Sequence, residues 1–95
     1  MLTFDRDPAT RRSNLSKHKI DFRAVEPVFR GPNVSFIDDR FDYDEEREIA
    51  IGMIGVEIVV VVYTIRGDIH WIISARKANE HEANLFFQTI GEGSV

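Results

Sequence analysis

Two arginines and one histidine have side chains and sequence positions that suit chemistry on a phosphate ester. Arg47 opens a predicted strand, Arg76 closes another, and His18 follows Lys17 at the end of a predicted helix. Two guanidinium groups can clamp a phosphate and stabilise the extra negative charge of a phosphorane-like transition state. An imidazole beside a lysine can carry a proton near neutral pH.

Each of these residues also has a purely structural interpretation. Lys17 and His18 can complement the dipole at the end of a helix, and the local pattern favours that interpretation. Both arginines can form ion pairs with nearby carboxylates, which are Glu45, Glu46 and Glu82. An ion pair is favoured for Arg47, whereas both interpretations stay open for Arg76. Ser74 shares a predicted strand face with Arg76, but the sequence shows no acid–base pair that would make its hydroxyl a nucleophile.

The acidic stretch 38–46 raises the hypothesis of a metal-dependent nuclease. The stretch does not match a calcium-binding loop, because arginine occupies the position that requires glycine. A two-metal nuclease also needs carboxylates that converge from several elements. A solvated turn without a metal is therefore the favoured interpretation. Trp71 and Phe86 or Phe87 could stack on nucleic-acid bases, but their spacing is that of buried faces.

The length of 95 residues predicts a single domain over residues 1–90, followed by a flexible tail over 91–95. Cysteine is absent, which excludes disulfides, thiolate zinc sites and cysteine nucleophiles. The N-terminus has no apolar run of signal-peptide length, and the longest apolar run, 58–63, is too short to cross a membrane. These features predict a soluble, cytoplasmic protein with no membrane partner.

The net charge of −4 is spread unevenly along the chain. Residues 1–30 carry +3, residues 31–50 carry −5 and residues 51–95 carry −2. A net acidic protein is not steered to nucleic acid by its overall field. Binding of RNA would therefore need a local basic surface, and the N-terminal third is the candidate.

Local signals predict three helices. Asp7, followed by proline, caps the first. Asp21 caps the second, which has apolar residues at helical spacing and is shortened or kinked by Pro27. Asn79 caps the third, with Glu82 at the capping-box position.

Five strands are predicted, one before the first helix and four after the second. The run Glu57–Thr64 is almost continuously apolar and suits a central strand covered on both faces. Alternation in the last strand places Trp71, Ile73 and Ala75 on one face and His70, Ile72, Ser74 and Arg76 on the other. The order β-α-α-β-β-β-β-α predicts an α+β fold, with two N-terminal helices and one C-terminal helix on an antiparallel sheet.

Six segments, taken in order, resemble the BrnT family of bacterial type II toxins. They are Phe4-Asp5 with Asp7-Pro8-Ala9, NLSKH (14–18), FRAVEPVF (22–29), Glu46-Arg47, VVYT (61–64) and IISARKA (72–78). The resemblance covers about residues 4–86, and NLSKH and IISARKA are its most specific parts.

The resemblance implies a RelE-like fold and a metal-independent endoribonuclease toxin that inhibits translation and needs no cofactor. Its partners would be an RNA substrate and a BrnA-like antitoxin, with operator DNA bound only indirectly, through the antitoxin. The catalytic positions of the family pattern fall on His18, Arg47, Arg76 and Glu82. The residues expected to bind the RNA are Lys17, Arg12 and Lys77.

The sequence departs from the family pattern at three positions. Trp71 replaces a basic residue before IISAR, and Ala83 and Phe86 replace an arginine and a tyrosine of the last helix. The predicted RNA-binding face therefore lacks two cations and a phenol. This departure favours an alternative function, in which the protein binds its antitoxin or acts as a co-repressor without cleaving RNA.

Overall fold

The computed structural model describes residues 2–40 and 44–93, which contain five strands, three α-helices and a short 3-10 helix. The strands are β1 (Thr3–Arg6), β2 (Val34–Asp38), β3 (Arg47–Ile54), β4 (Glu57–Arg66) and β5 (Ile69–Lys77). The helices are α1 (Pro8–His18), the 3-10 helix (Phe22–Ala24), α2 (Glu26–Arg30) and α3 (Glu80–Gly93). The predicted α+β class and the order of the elements are confirmed.

The strands form one sheet in the order β1-β5-β4-β3-β2. Strands β2 to β5 pair antiparallel with their neighbours, as the sequence predicted. β1 instead runs parallel to β5, with Thr3 opposite Ile69, so the sheet is mixed rather than antiparallel throughout. Two-residue turns join β3 to β4 and β4 to β5 and force antiparallel pairing, whereas β1 leads into a helix and can pair in either direction.

One face of the sheet is fully packed against the 3-10 helix and α2. Phe22, Val25 and Val28 are at most 1% exposed and contact apolar residues of β3, β4 and β5. α2 can lie this close to β3 because Gly52 has no side chain, since a Cβ there would lie 2.9 Å from Cγ1 of Val28. The single helix predicted here is instead a 3-10 helix followed by α2. Pro27 occupies the second position of α2, where its missing N–H breaks no helical hydrogen bond.

α1 closes the edge of β5 that lies beyond the end of β1. The side chain of Asn14, which is 6% exposed, donates to the carbonyl oxygen of Ala75 at 2.8 Å and accepts from its N–H at 3.1 Å. The amide of Asn14 therefore takes the place of a strand partner for this buried backbone. It also donates to the carbonyl oxygen of Ile20 at 2.9 Å, which ties the end of α1 to the sheet.

α3 covers the opposite face of the sheet only in part. Leu85, Phe86 and Ile90 pack on apolar residues of β3 and β4. α3 continues to Gly93, so residues 91–93 of the predicted tail are helical, and residues 94–95 lie outside the described part of the chain. Among the described residues, no helix has the length and apolar character needed to span a bilayer.

Candidate functional site

A hollow of about 560 Å³ lies on the face of the sheet that α3 leaves partly open. Strands β3, β4 and β5 form its floor, and β2 and the start of α3 form its walls. The polar side chains that line it are Asp38, Arg40, Arg47, Ser74, Arg76, His81 and Glu82. Three arginines thus face two carboxylates, so the hollow has an excess of positive charge in a chain whose net charge is −4.

A bulge in β5 turns the end of this strand toward the hollow. The ladder with β4 skips Ile73, which is an extra residue of β5. Strict alternation predicted that Ile72 shares a face with Ser74 and Arg76, and this prediction was wrong. Because of the extra residue, Ile72 and Ala75 both lie in the packed core, while Ser74 and Arg76 line the hollow.

Glu82 holds the guanidinium group of Arg76 in one orientation. The Nη1–Oε1 and Nη2–Oε2 distances are both 2.8 Å, which is a bidentate pair. The ion pair that the sequence left open for Arg76 is therefore present. The hydrogen bonds from Arg76 lower the pKa of Glu82 below its ordinary value of 4.5, so the carboxylate stays charged at neutral pH.

The predicted capping box fixes Glu82 in turn. Its Oε1 accepts the N–H of Asn79 at 2.9 Å, and Oδ1 of Asn79 accepts the N–H of Glu82 at 2.8 Å. The start of α3 therefore sets where Glu82 stands, and Glu82 sets where Arg76 stands. This arrangement exists before any ligand enters the hollow.

Arg47 approaches the hollow from the other end of its floor. Ile51 of β3 and Arg76 of β5 lie opposite the same residue of β4, and Arg47 is four residues, about 13 Å, further along β3. Arg47 is paired in register with Asp38 of β2, whose carboxylate is 2% exposed and accepts from Arg40 at 2.8 and 3.0 Å. Positively charged side chains, those of Arg47 and Arg76, therefore lie at the two ends of the hollow.

The structure does not bring the other predicted residues into the hollow. His18 is the half-buried last residue of α1, and Lys17 and Arg12 are exposed on the same helix. Lys77 has its Nζ 3.5 Å from Glu57 and lines a smaller cavity on the other face of the sheet. The roles assigned to these four residues stay predictions.

Sequence reasoning did not assign Asp38, Arg40 or His81 to this site, although the first two lie in the acidic stretch that raised the metal hypothesis. His81 lies in the first turn of α3, directly before Glu82. One signal could have identified it, because the first turn of a helix that follows a strand must lie near the end of that strand. Ser74, which was disfavoured as a nucleophile, also lines the hollow.

A family model described as "Ribonuclease toxin, BrnT, of type II toxin-antitoxin system" matches residues 7–82. The chain belongs to the BrnT family. The crystal structure of the Brucella abortus ribonuclease toxin BrnT is similar to it, with a TM-score of 0.67, 25% sequence identity and coverage of 84% of this chain and 100% of that one. No curated protein sequence matches the chain significantly. The resemblance seen in the sequence is confirmed, and a type II system implies an antitoxin partner.

The three departures from the BrnT-family pattern lie outside the lining of the hollow. Phe86 is 4% exposed in the apolar core beneath α3. The ring of Trp71 lies under the guanidinium group of Arg66, 4.4 Å from its central carbon. Ala83 is half-buried on α3. None of these three side chains lines the hollow of this chain.

Within residues 2–40 and 44–93, no group of three or more histidine, aspartate or glutamate side chains converges as metal ligands. Part of the acidic stretch that raised the metal hypothesis, residues 41–43, lies outside these ranges. Two of its carboxylates are paired with arginines, Asp38 with Arg40 and Glu45 with Arg66.

Proposed function

We propose that this BrnT-family chain is a metal-independent endoribonuclease that inhibits translation and is neutralised by a BrnA-like antitoxin. The family supplies the class of activity, and the positively charged hollow supplies a place for a phosphodiester. The observation that carries the proposal is the guanidinium group of Arg76, which Glu82 holds at one end of the floor of this hollow through two 2.8 Å contacts.

The proposed reaction needs charge stabilisation more than it needs a protein nucleophile. The 2′-hydroxyl of the RNA attacks the adjacent phosphorus, the bond to the 5′-oxygen breaks, and the products are a 2′,3′-cyclic phosphate and a 5′-hydroxyl. Arg76 and Arg47 would offset the added charge of the phosphorane from the two ends of the floor. Because Arg76 is oriented in advance, little reorganisation accompanies the reaction. Glu82 acts as a positioning residue, since its lowered pKa makes it a weak base.

The predicted RNA-binding residues lie outside the hollow and would contact RNA that extends beyond it. Lys77 follows Arg76 on the reverse face of β5, and α1, which ends in Lys17 and His18, packs against the same strand. RNA that leaves the hollow around the end of β5 would meet Lys77, Lys17 and Arg12. Their contribution would be contact with phosphates, which raises affinity without selecting sequence.

The test is cleavage of RNA in EDTA by wild-type protein and by Arg76→Ala. We expect the variant to lose about 100-fold or more in rate, the effect of removing one preorganised donor to an oxyanion. Arg66→Ala is the matched control, because Arg66 also pairs with a glutamate, at 2.7 Å from Glu45, but lies outside the lining of the hollow. Equal rates for all three proteins would refute the role of Arg76, and loss of wild-type activity in EDTA would refute the metal-free scheme.

The alternative function, an antitoxin-binding module or co-repressor that does not cleave RNA, predicts a different result in cells. Expression of the chain alone should arrest growth if it is a toxin, and a co-expressed BrnA-like antitoxin should reverse the arrest. Unimpaired growth with stable, folded protein would favour the binding module. The excess of arginines over carboxylates in the lining of the hollow is our reason for placing the ribonuclease first.

A further inference from the structure

We propose that His81 exchanges the proton of the reaction in the hollow, an inference that rests on the proposed ribonuclease function. Cleavage takes a proton from the 2′-hydroxyl, and the group that accepts it must come within hydrogen-bond reach of the RNA. Among the described residues that line the hollow, His81 supplies the imidazole.

The other polar groups of the hollow are poorly suited to this proton transfer. Arginine side chains stay protonated. Both carboxylate oxygens of Glu82 accept hydrogen bonds from Arg76, and the carboxylate of Asp38 is buried and bonded twice to Arg40. The hydroxyl of Ser74 would itself need a base before it could accept a proton.

His81 is well placed and available. It is the residue directly before Glu82, so the capping box that fixes Glu82 also fixes the backbone of His81. Its side chain is exposed and, within the described part of the chain, makes no hydrogen bond or ion pair. Imidazole groups exchange protons at the pH of the cell, which arginine and paired carboxylates do not.

The charged groups around His81 come from four elements. They are Glu80 and Glu82 of α3, Arg76 of β5, Arg47 of β3, and Asp38 with Arg40 at the end of β2. Each carboxylate in the hollow faces an arginine, and the arginines outnumber the carboxylates. A phosphate of the substrate would therefore be drawn into the same space as the imidazole.

In the proposed step, the neutral imidazole of His81 accepts the proton of the 2′-hydroxyl as that oxygen bonds to phosphorus. The bond between phosphorus and the 5′-oxygen breaks, and the 5′-oxygen takes a proton from water. The imidazolium then returns its proton to the solvent. His18, which the sequence predicted to transfer the proton, does not line the hollow. Asn84, which is exposed on the same helix as His81 and also lies outside the lining, provides the matched control.

The experiment compares wild type, His81→Ala and Asn84→Ala in EDTA over roughly pH 5 to 9. We expect His81→Ala to lower kcat about 100-fold or more. It should also lose the rise in rate with pH that wild type shows. Asn84→Ala should keep both the rate and its rise with pH. Since the side chain of His81 is exposed, thermal unfolding should show that both variants fold.

An RNA with sulfur in place of the bridging 5′-oxygen separates the two possible proton transfers, because a thiolate leaves without being protonated. His81→Ala should stay slow on this substrate, and recovery of the wild-type rate would refute the step as written. Equal cleavage of ordinary RNA by His81→Ala and wild type would overturn the inference and leave the ribonuclease function standing. A wild-type protein that leaves RNA intact while folded would overturn both.

Discussion

On one face of the sheet, Val25 and Val28 are completely enclosed, whereas on the other face α3 leaves a hollow of about 560 Å³ lined by charged side chains. The same strands supply both surfaces. On the enclosed face, apolar groups exclude water and contribute free energy of folding. On the open face, arginines and carboxylates keep contact with water until a ligand displaces it.

The difference implies that stability and activity depend on different residues of one small sheet. A substitution on the enclosed face should lower the free energy of unfolding and leave the activity of each folded molecule unchanged. A substitution in the hollow should lower the activity of each folded molecule and change the free energy of unfolding much less. The following predictions test that division, from the largest expected change in stability to the smallest.

Asn14→Ala should have the largest effect. It removes the partners of two backbone groups of Ala75 at a position where Asn14 is only 6% exposed. The loss should lower the free energy of unfolding by about 2–4 kcal/mol, because buried donors and acceptors are left without hydrogen bonds. Urea unfolding measures it. Asn84→Ala, at an exposed position of α3, is the control and should change little.

The same variant also bears on activity. Normalised to folded protein, RNA cleavage by Asn14→Ala should equal that of wild type, because Asn14 does not line the hollow. A loss of cleavage that exceeds the loss of folded protein would show that the edge of β5 near α1 belongs to the site.

Gly52→Ala should have an intermediate effect. The added Cβ would lie 2.9 Å from Cγ1 and 3.1 Å from the carbonyl oxygen of Val28, so α2 must move away from β3. Overpacking of this kind costs about 1–3 kcal/mol. Gly91→Ala is the matched control, since a Cβ there meets no atom within 4 Å in the described part of the chain, and it should be neutral or slightly stabilising. A fully stable Gly52→Ala would mean that the enclosed face is looser than its burial indicates.

Glu82→Gln should have the smallest effect on stability. The pKa of Glu82 is lowered below 4.5 by its hydrogen bonds from Arg76, so the ion pair stabilises the fold above that pH. The stabilisation is lost as the pH falls through the folded-state pKa, because the carboxylate then takes up a proton. At neutral pH the variant should be less stable by about 1 kcal/mol, and the difference from wild type should vanish in acid.

Cleavage is the sharper measurement for Glu82→Gln, since Arg76 would lose its orientation while the fold persists. Glu26→Gln is its control: Glu26 also pairs with an arginine, Arg30, at 3.0 Å, but that pair lies on α2, on the enclosed face of the sheet. Unchanged cleavage by Glu82→Gln would assign the orientation of Arg76 to some other contact.

Local signals in the sequence were sufficient for the starts of α1 and α3. Asp7 accepts from the N–H of Thr10 at 2.9 Å, and Asn79 and Glu82 form the predicted capping box. A cap depends on residues three positions apart, so the sequence contains all of the information. The same holds for Glu82 as the partner of Arg76, because a strand and the following helix are joined by two residues.

Features that depend on distant contacts were not predictable in this way. The direction of β1 and the bulge at Ile73 are set by how strands pair, and the anchor of α1 joins Asn14 to a residue 61 positions away. His81 was missed because its place in the hollow depends on how α3 rotates against the sheet. The prediction for His18 rests on its neighbours in the sequence and stays a prediction, because those neighbours do not report which face of the sheet a helix end approaches.

The extra residue in β5 marks a position where the strand can be shortened without a change of register. Because Ile73 is skipped by the ladder, a chain without it would still pair Ser74 and Ile72 with consecutive residues of β4. Deletion of one residue between Ile69 and Ile72 would instead exchange the inward and outward positions at the start of the strand. Position 73 is therefore the place in this strand where a relative can lose a residue and keep its surface chemistry, at the expense of local curvature.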